Sequence, residues 1–145
     1  MAELLTSDKK RTLVHTLVDE LKPRMASMLP RHVKVERVAA VCLTAIIRTP
    51  DLLEAVAAGG VTKASLASAL LDCARLGIMP DGVEAALVTF KDHGVPKVQL
   101  LMMYRGRLTL ARRSKEIRTV EARVIHAKDR YHFTYGLKPR LEHEP

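Results

Sequence analysis

Tryptophan is absent from this 145-residue chain, and there are only two phenylalanines and three tyrosines, so aliphatic side chains must supply the core. No apolar run approaches the roughly 20 residues needed to cross a bilayer, which excludes a helical membrane span. Met1-Ala2-Glu3-Leu4-Leu5 has no basic segment followed by a long apolar one, so no secretory signal is expected. The two cysteines, Cys42 and Cys73, lack metal or redox spacing; both fall in apolar helical patterns and read as buried thiols of a reducing, cytoplasmic setting. Acidic residues are scarce in one region only. Residues 1–96 carry 12 Lys+Arg against 11 Asp+Glu, whereas residues 97–145 carry 12 against 5. Nearly all of the net charge of +8 therefore sits in the last third, where an acidic partner should bind.

Hydrophobic spacing predicts a helical first half. Ser7-Asp8 can cap a helix bearing Val14, Leu17, Val18, Leu21, Met25 and Met28 on one side, with a kink or early end expected at Pro23. A second helix, from about Val33 to Arg48, carries Val35, Val38, Ala39, Cys42 and Ile46, and Val41, Ala45 and Ile47 widen its stripe enough to suggest burial on more than one side. Thr49-Pro50 stops it, and Asp51 is expected to cap a short turn through Leu52 to Ala57. Thr62 opens a further helix with Leu66, Ala69, Leu70, Cys73 and Ala74 inward, closed by Gly77 in a left-handed conformation.

Past the Pro80-Asp81-Gly82 turn, the period changes from helical to alternating. Strands are expected at Glu84–Lys91 and Lys97–Met103, with Val98, Leu100 and Met102 on one face; a third at Ile117–Ala127; and a fourth at Tyr131–Tyr135, paired with the third through Lys128-Asp129-Arg130. The fold class is therefore α+β: a helical part, residues 1–77, packed with a small, mainly antiparallel sheet in a basic part, residues 78–145. The sheet carries a short basic helix, and the whole is read as a single domain because the strands alone would leave a face uncovered.

That helix, centred on Tyr104-Arg105-Gly106-Arg107-Leu108-Thr109-Leu110-Ala111-Arg112-Arg113-Ser114, is the candidate site. Tyr104, Leu108 and Ala111 form an apolar stripe, and Arg105 and Arg112, seven residues apart, share a flank roughly 10 Å apart along the axis. Guanidinium groups stay charged and grip phosphate oxygens in a fork. No acidic residue lies between Tyr104 and Lys115 to neutralise them, so an external polyanion is the expected ligand. Arg118, Arg123, Lys128 and Arg130 can extend the track, with Arg123 facing away from Val120 and Val124. Tyr131, Phe133 and Tyr135 alternate on one strand face; such a row is more often sheet core than a base-stacking platform.

Other constellations fall short. His126, Asp129 and His132 are too loosely spaced for a metal site, and Glu84, Asp92 and Asp129 do not make a two-metal carboxylate set. Gly59-Gly60-Val61-Thr62-Lys63 misses the spacing of an ATP phosphate loop. No nucleophile has an evident base, so no catalytic machinery, metal or cofactor is expected.

The series Leu76-Gly77-Ile78-Met79-Pro80-Asp81-Gly82, Val98-Gln99-Leu100, Tyr104-Arg105-Gly106 and Leu110-Ala111-Arg112-Arg113-Ser114, with the tail Gly136–Pro145, resembles the RecT family of phage single-strand annealing recombinases. The likeness runs from about Leu66 onward. It implies an ATP-independent, non-enzymatic protein that binds single-stranded DNA, pairs it with its complement through an annealed duplex intermediate, forms rings or helical filaments, and works beside a phage exonuclease. Carried over by motif, the DNA-binding positions are Gln99, Tyr104, Arg105, Arg112 and Arg113; Arg107, Lys115, Arg118 and Arg123 are added on charge and position. Family members continue beyond the position of Pro145, so the resemblance implies a C-terminally truncated member. Two other readings stand beside it: a basic module that binds duplex DNA or RNA without annealing, and an assembly protein, or inactive remnant, whose positive half binds an acidic protein.

Overall fold

Thr62 shows how faithfully local chemistry sets the helix boundaries in the computed structural model, which describes residues 7–145. Its hydroxyl accepts a hydrogen bond from the Ser65 amide at 3.2 Å and opens a helix over Lys63–Leu76. Gly77 closes that helix at φ 58°, and the Gly77 and Ile78 amides donate back to the Ala74 and Cys73 carbonyls. The inward residues are those the spacing predicts: Leu66, Ala69, Leu70, Cys73 and Ala74 are all buried.

Among the described residues three helices precede this one, numbered in chain order α1 (Ser7–Met28), α2 (Val35–Arg48) and α3 (Pro50–Ala57), which makes Lys63–Leu76 α4. The expectation that Met1–Leu5 carries no secretory signal falls on residues outside those described. Helix α1 does not end at Pro23. Burial of Val14, Val18 and Met25 against the other helices offsets the one backbone hydrogen bond that proline forfeits. Helix α3 is opened by Thr49 at the cap with Pro50 in the first turn, two residues earlier than the Asp51 cap expected, because proline's fixed φ suits the first helical position.

After the turn at Asp81, whose carboxylate accepts the Val83 and Glu84 amides at 2.8 Å each, strands β1 (Ala85–Asp92) and β2 (Val95–Met102) form an antiparallel hairpin. His93 and Gly94 make its two-residue loop, both at positive φ as a type I′ turn requires. Ala85, Leu87 and Val98 face the helices and are buried. The outer edge of β2 is tied to α4 by the Val98 amide, which donates to the Ser65 hydroxyl at 3.1 Å. Helix α5 (Tyr104–Arg113) follows directly.

The α+β class holds, but the strands do not form one sheet. Residues 115–129 contain no regular element, so the strand expected at Ile117–Ala127 is not formed. Its alternating apolar side chains find no partner strand among the described residues; Val124 is 74% exposed. Strand β3 (Arg130–Thr134) pairs instead with β4 (Arg140–Glu144), drawn from the tail, in register Arg130↔Glu144 to Thr134↔Arg140. The two hairpins are separate two-stranded sheets. Tyr131, Phe133 and Tyr135 are exposed and form no sheet core, because no layer among the described residues covers β3.

Candidate nucleic-acid interface

Helix α5 sits on the rest of the molecule through its one buried residue, Gly106. A β-carbon there would stand 2.3 Å from the Glu84 carbonyl oxygen, closer than real contacts allow, so glycine is what permits the helix to lie against the start of β1. The Met103 amide donates to that same carbonyl at 3.0 Å. One turn on, the Thr109 hydroxyl donates to Glu84 Oε1 at 3.0 Å, while Glu84 Oε2 accepts the Met79 amide at 3.4 Å. At the far end, Arg113 donates from Nη1 to the Leu76 carbonyl and from Nη2 to the Gly77 carbonyl at 2.6 Å.

With α5 held in this way, Arg105 and Arg112 lie within about 20° of each other around its axis. They line a shallow cleft of about 440 Å³ with Val83, Glu84, Tyr104, Leu108 and Thr109. Tyr104 is not inward: it is 67% exposed, its hydroxyl accepts from Arg105 Nε at 3.0 Å, and the guanidinium carbon lies 5.9 Å from its ring centre. The hydrogen bond to Tyr104 pushes the Arg105 pKa further up, so the group is cationic at any working pH. Among the described residues neither Arg105 nor Arg112 has a carboxylate within salt-bridge distance. The arrangement offers two forked cations and one aromatic face, groups that suit phosphate and base respectively.

The remaining predicted positions are dispersed. Gln99 is exposed on β2, opposite Val88. Arg107 is exposed on another flank of α5. Lys115 follows the helix at φ 63°, and Arg118 and Arg123 lie in the irregular stretch, Arg123 donating to Glu121 Oε2 at 3.1 Å. Arg113 is turned onto backbone carbonyls. The structure thus gathers Tyr104, Arg105 and Arg112, and leaves Gln99, Arg107, Arg118 and Arg123 apart from that cleft.

Sequence reasoning missed Glu84, which it weighed only as a metal ligand, and Thr109; the available signal was a glycine inside a helix, which marks close backbone approach. It also missed a larger open groove of about 550 Å³, lined by Arg37, Val41 and Arg48 of α2 together with Pro80, Asp81 and Leu87. Among the described residues, no group of three His, Cys, Asp or Glu side chains gathers as a metal site. Asp129 instead accepts the His126 amide at 2.8 Å and meets His143 Nε2 at 2.8 Å. No helix among the described residues is long and apolar enough to cross a membrane.

Comparison with known proteins agrees with the motif series. The chain is 35% identical over 131 residues to Protein RecT of Escherichia coli (strain K12), an alignment covering 86% of this chain. It spans only 46% of that relative's length. No solved structure matches. The model of the RecT family matches residues 36–145, three quarters of the chain, and the protein therefore belongs to the RecT family.

Proposed function

We propose that this chain binds single-stranded DNA and anneals complementary strands in homologous recombination of the phage type, without ATP and without bond-making chemistry. Residues 1–145 act as one unit in the cytoplasm, as subunits of a ring or helical filament beside an exonuclease that exposes the strand. The observation that carries this reading is the pair Arg105 and Arg112, which share one flank of a helix fixed to the domain and, among the described residues, have no carboxylate within salt-bridge distance. Annealing requires two polyanions to approach against their repulsion. Forked cations on one face offset that repulsion and release counterions, and contacts made to phosphate leave base edges free to test for pairing. The family membership and the relative's identity support the same reading.

Mixing two complementary labelled strands with the protein tests it. Hybridisation is expected to run faster than the uncatalysed rate, and the acceleration should fade as salt rises. Binding with no acceleration would leave a nucleic-acid-binding module that does not anneal. Absence of salt-sensitive binding would remove the reading altogether.

A further inference from the structure

We infer that Arg113 is a positioning residue: it clamps α5 to the end of α4 and so sets how Arg105 and Arg112 meet a strand, without contacting phosphate itself. The inference rests on the phosphate-binding reading of that face. The last turn of α4 leaves carbonyls without intrahelical partners. The Gly77 and Ile78 amides satisfy those of Ala74 and Cys73. Past Arg75, the carbonyls of Leu76, the last residue of α4, and of Gly77, its cap, are taken by the two arms of the Arg113 guanidinium. A fixed cation at the negative end of α4 is favoured by the helix dipole as well. Both arms that would fork a phosphate are thus already engaged, although the residue as a whole is exposed.

The consequence for α5 is geometric. Its start is held by Met103 on the Glu84 carbonyl, its middle by Thr109 on the Glu84 carboxylate, and its end by Arg113 on α4. Without the last tie the helix can pivot about Glu84, and Arg105 and Arg112 no longer stay registered with the cleft. Lysine is no substitute. It keeps the charge, but a single ammonium does not reproduce the planar fork across two carbonyls.

The test is a salt titration of the full chain with a labelled oligothymidine, comparing wild type, Arg105→Gln, Arg113→Gln and Arg113→Lys well below each variant's unfolding midpoint. For Arg105→Gln the slope of log affinity against log salt should become shallower by about 0.7, the signature of one lost contact to single-strand phosphate. Arg113→Gln and Arg113→Lys should each weaken binding roughly tenfold at every salt, as a smaller competent population requires, with the wild-type slope retained. A shallower slope in Arg113→Gln with wild-type behaviour in Arg113→Lys would overturn the clamp and make Arg113 a phosphate ligand. Unchanged affinity in both would also overturn it, leaving a cap that matters only for folding. If the wild-type chain shows no salt-dependent binding, the functional reading fails and the inference falls with it.

Discussion

The Glu84 carbonyl oxygen stands 2.3 Å from where a β-carbon on Gly106 would lie, so one missing methyl decides how closely α5 approaches β1. Gly106→Ala would favour the isolated helix by about 1 kcal/mol. In the folded chain it must instead push α5 off a backbone atom, which has no rotamer with which to yield. The expected net result is a loss of about 1–3 kcal/mol of stability, the usual cost of overpacking. Urea denaturation checks this; a gain in stability would mean that α5 does not rest on Glu84.

Lys115 supplies the opposite case. It occupies φ 63° just beyond the end of α5, where glycine is the usual residue, and its amide bonds the Arg112 carbonyl at 3.1 Å. Holding an L side chain there costs about 1 kcal/mol. Lys115→Gly should therefore raise stability by roughly that amount, while affinity for single strands falls if the ammonium meets phosphate. Thermal unfolding and oligonucleotide titration of one variant separate the two effects.

Ser65 and Val98 join the helical layer to the first hairpin. The Ser65 hydroxyl accepts the Val98 amide at 3.1 Å and donates to the Thr62 carbonyl at 2.9 Å, and Val98 itself is buried. Ser65→Ala leaves a strand amide beside the core without its partner, which should cost about 1–3 kcal/mol. Faster hydrogen exchange at the Val98 amide than at its ladder-bonded neighbours on β2 is the accompanying expectation. Equal protection would show that solvent or another group replaces the hydroxyl.

How far the sequence foretold this architecture depended on whether the deciding interaction was local. The inward stripe of α4, the Thr62 cap and the Gly77 terminus are set by neighbours three to five residues away, and all three emerge as read. The β1–β2 hairpin was legible for a similar reason: a two-residue loop joins two alternating runs. The strand expected at Ile117–Ala127 alternates just as clearly, yet alternation names a face and not a partner, and β3 pairs with the tail. Pro23 argued for a kink or an early end, and burial of Met25 overrode the early end. Within the site, charge density pointed to α5, but the roles of its arginines did not follow from charge. Arg113 and Arg112 are adjacent and chemically identical; what separates them is the end of α4, 36 residues earlier in the chain, which only the tertiary structure brings alongside.

The β3–β4 hairpin should respond to acid through Asp129. That carboxylate accepts the His126 amide at 2.8 Å and contacts His143 Nε2 on β4 at 2.8 Å, joining the approach to β3 with the end of its partner. The amide hydrogen bond from His126, followed by the bond to His143, holds the Asp129 pKa below the ordinary aspartate value of about 3.9. A carboxyl depressed in the folded state binds protons more readily once the local structure opens. Its contribution is therefore complete above the ordinary value and lost as pH falls through the lowered one. Between neutral pH and about pH 5 the hairpin should be indifferent to this group; below about pH 4 its strand pairing should weaken. Carboxyl chemical shifts followed by NMR should give Asp129 a midpoint below that of an unstructured aspartate, and cross-strand contacts between Tyr131 and His143 should fade over the same interval. Asp129→Asn should lose that response while weakening the hairpin at neutral pH, since an amide accepts the His126 hydrogen bond less strongly than a carboxylate does. A midpoint at or above the ordinary value would mean that the carboxylate is not gripped by His126 and His143, and the closure of the hairpin would then need another cause.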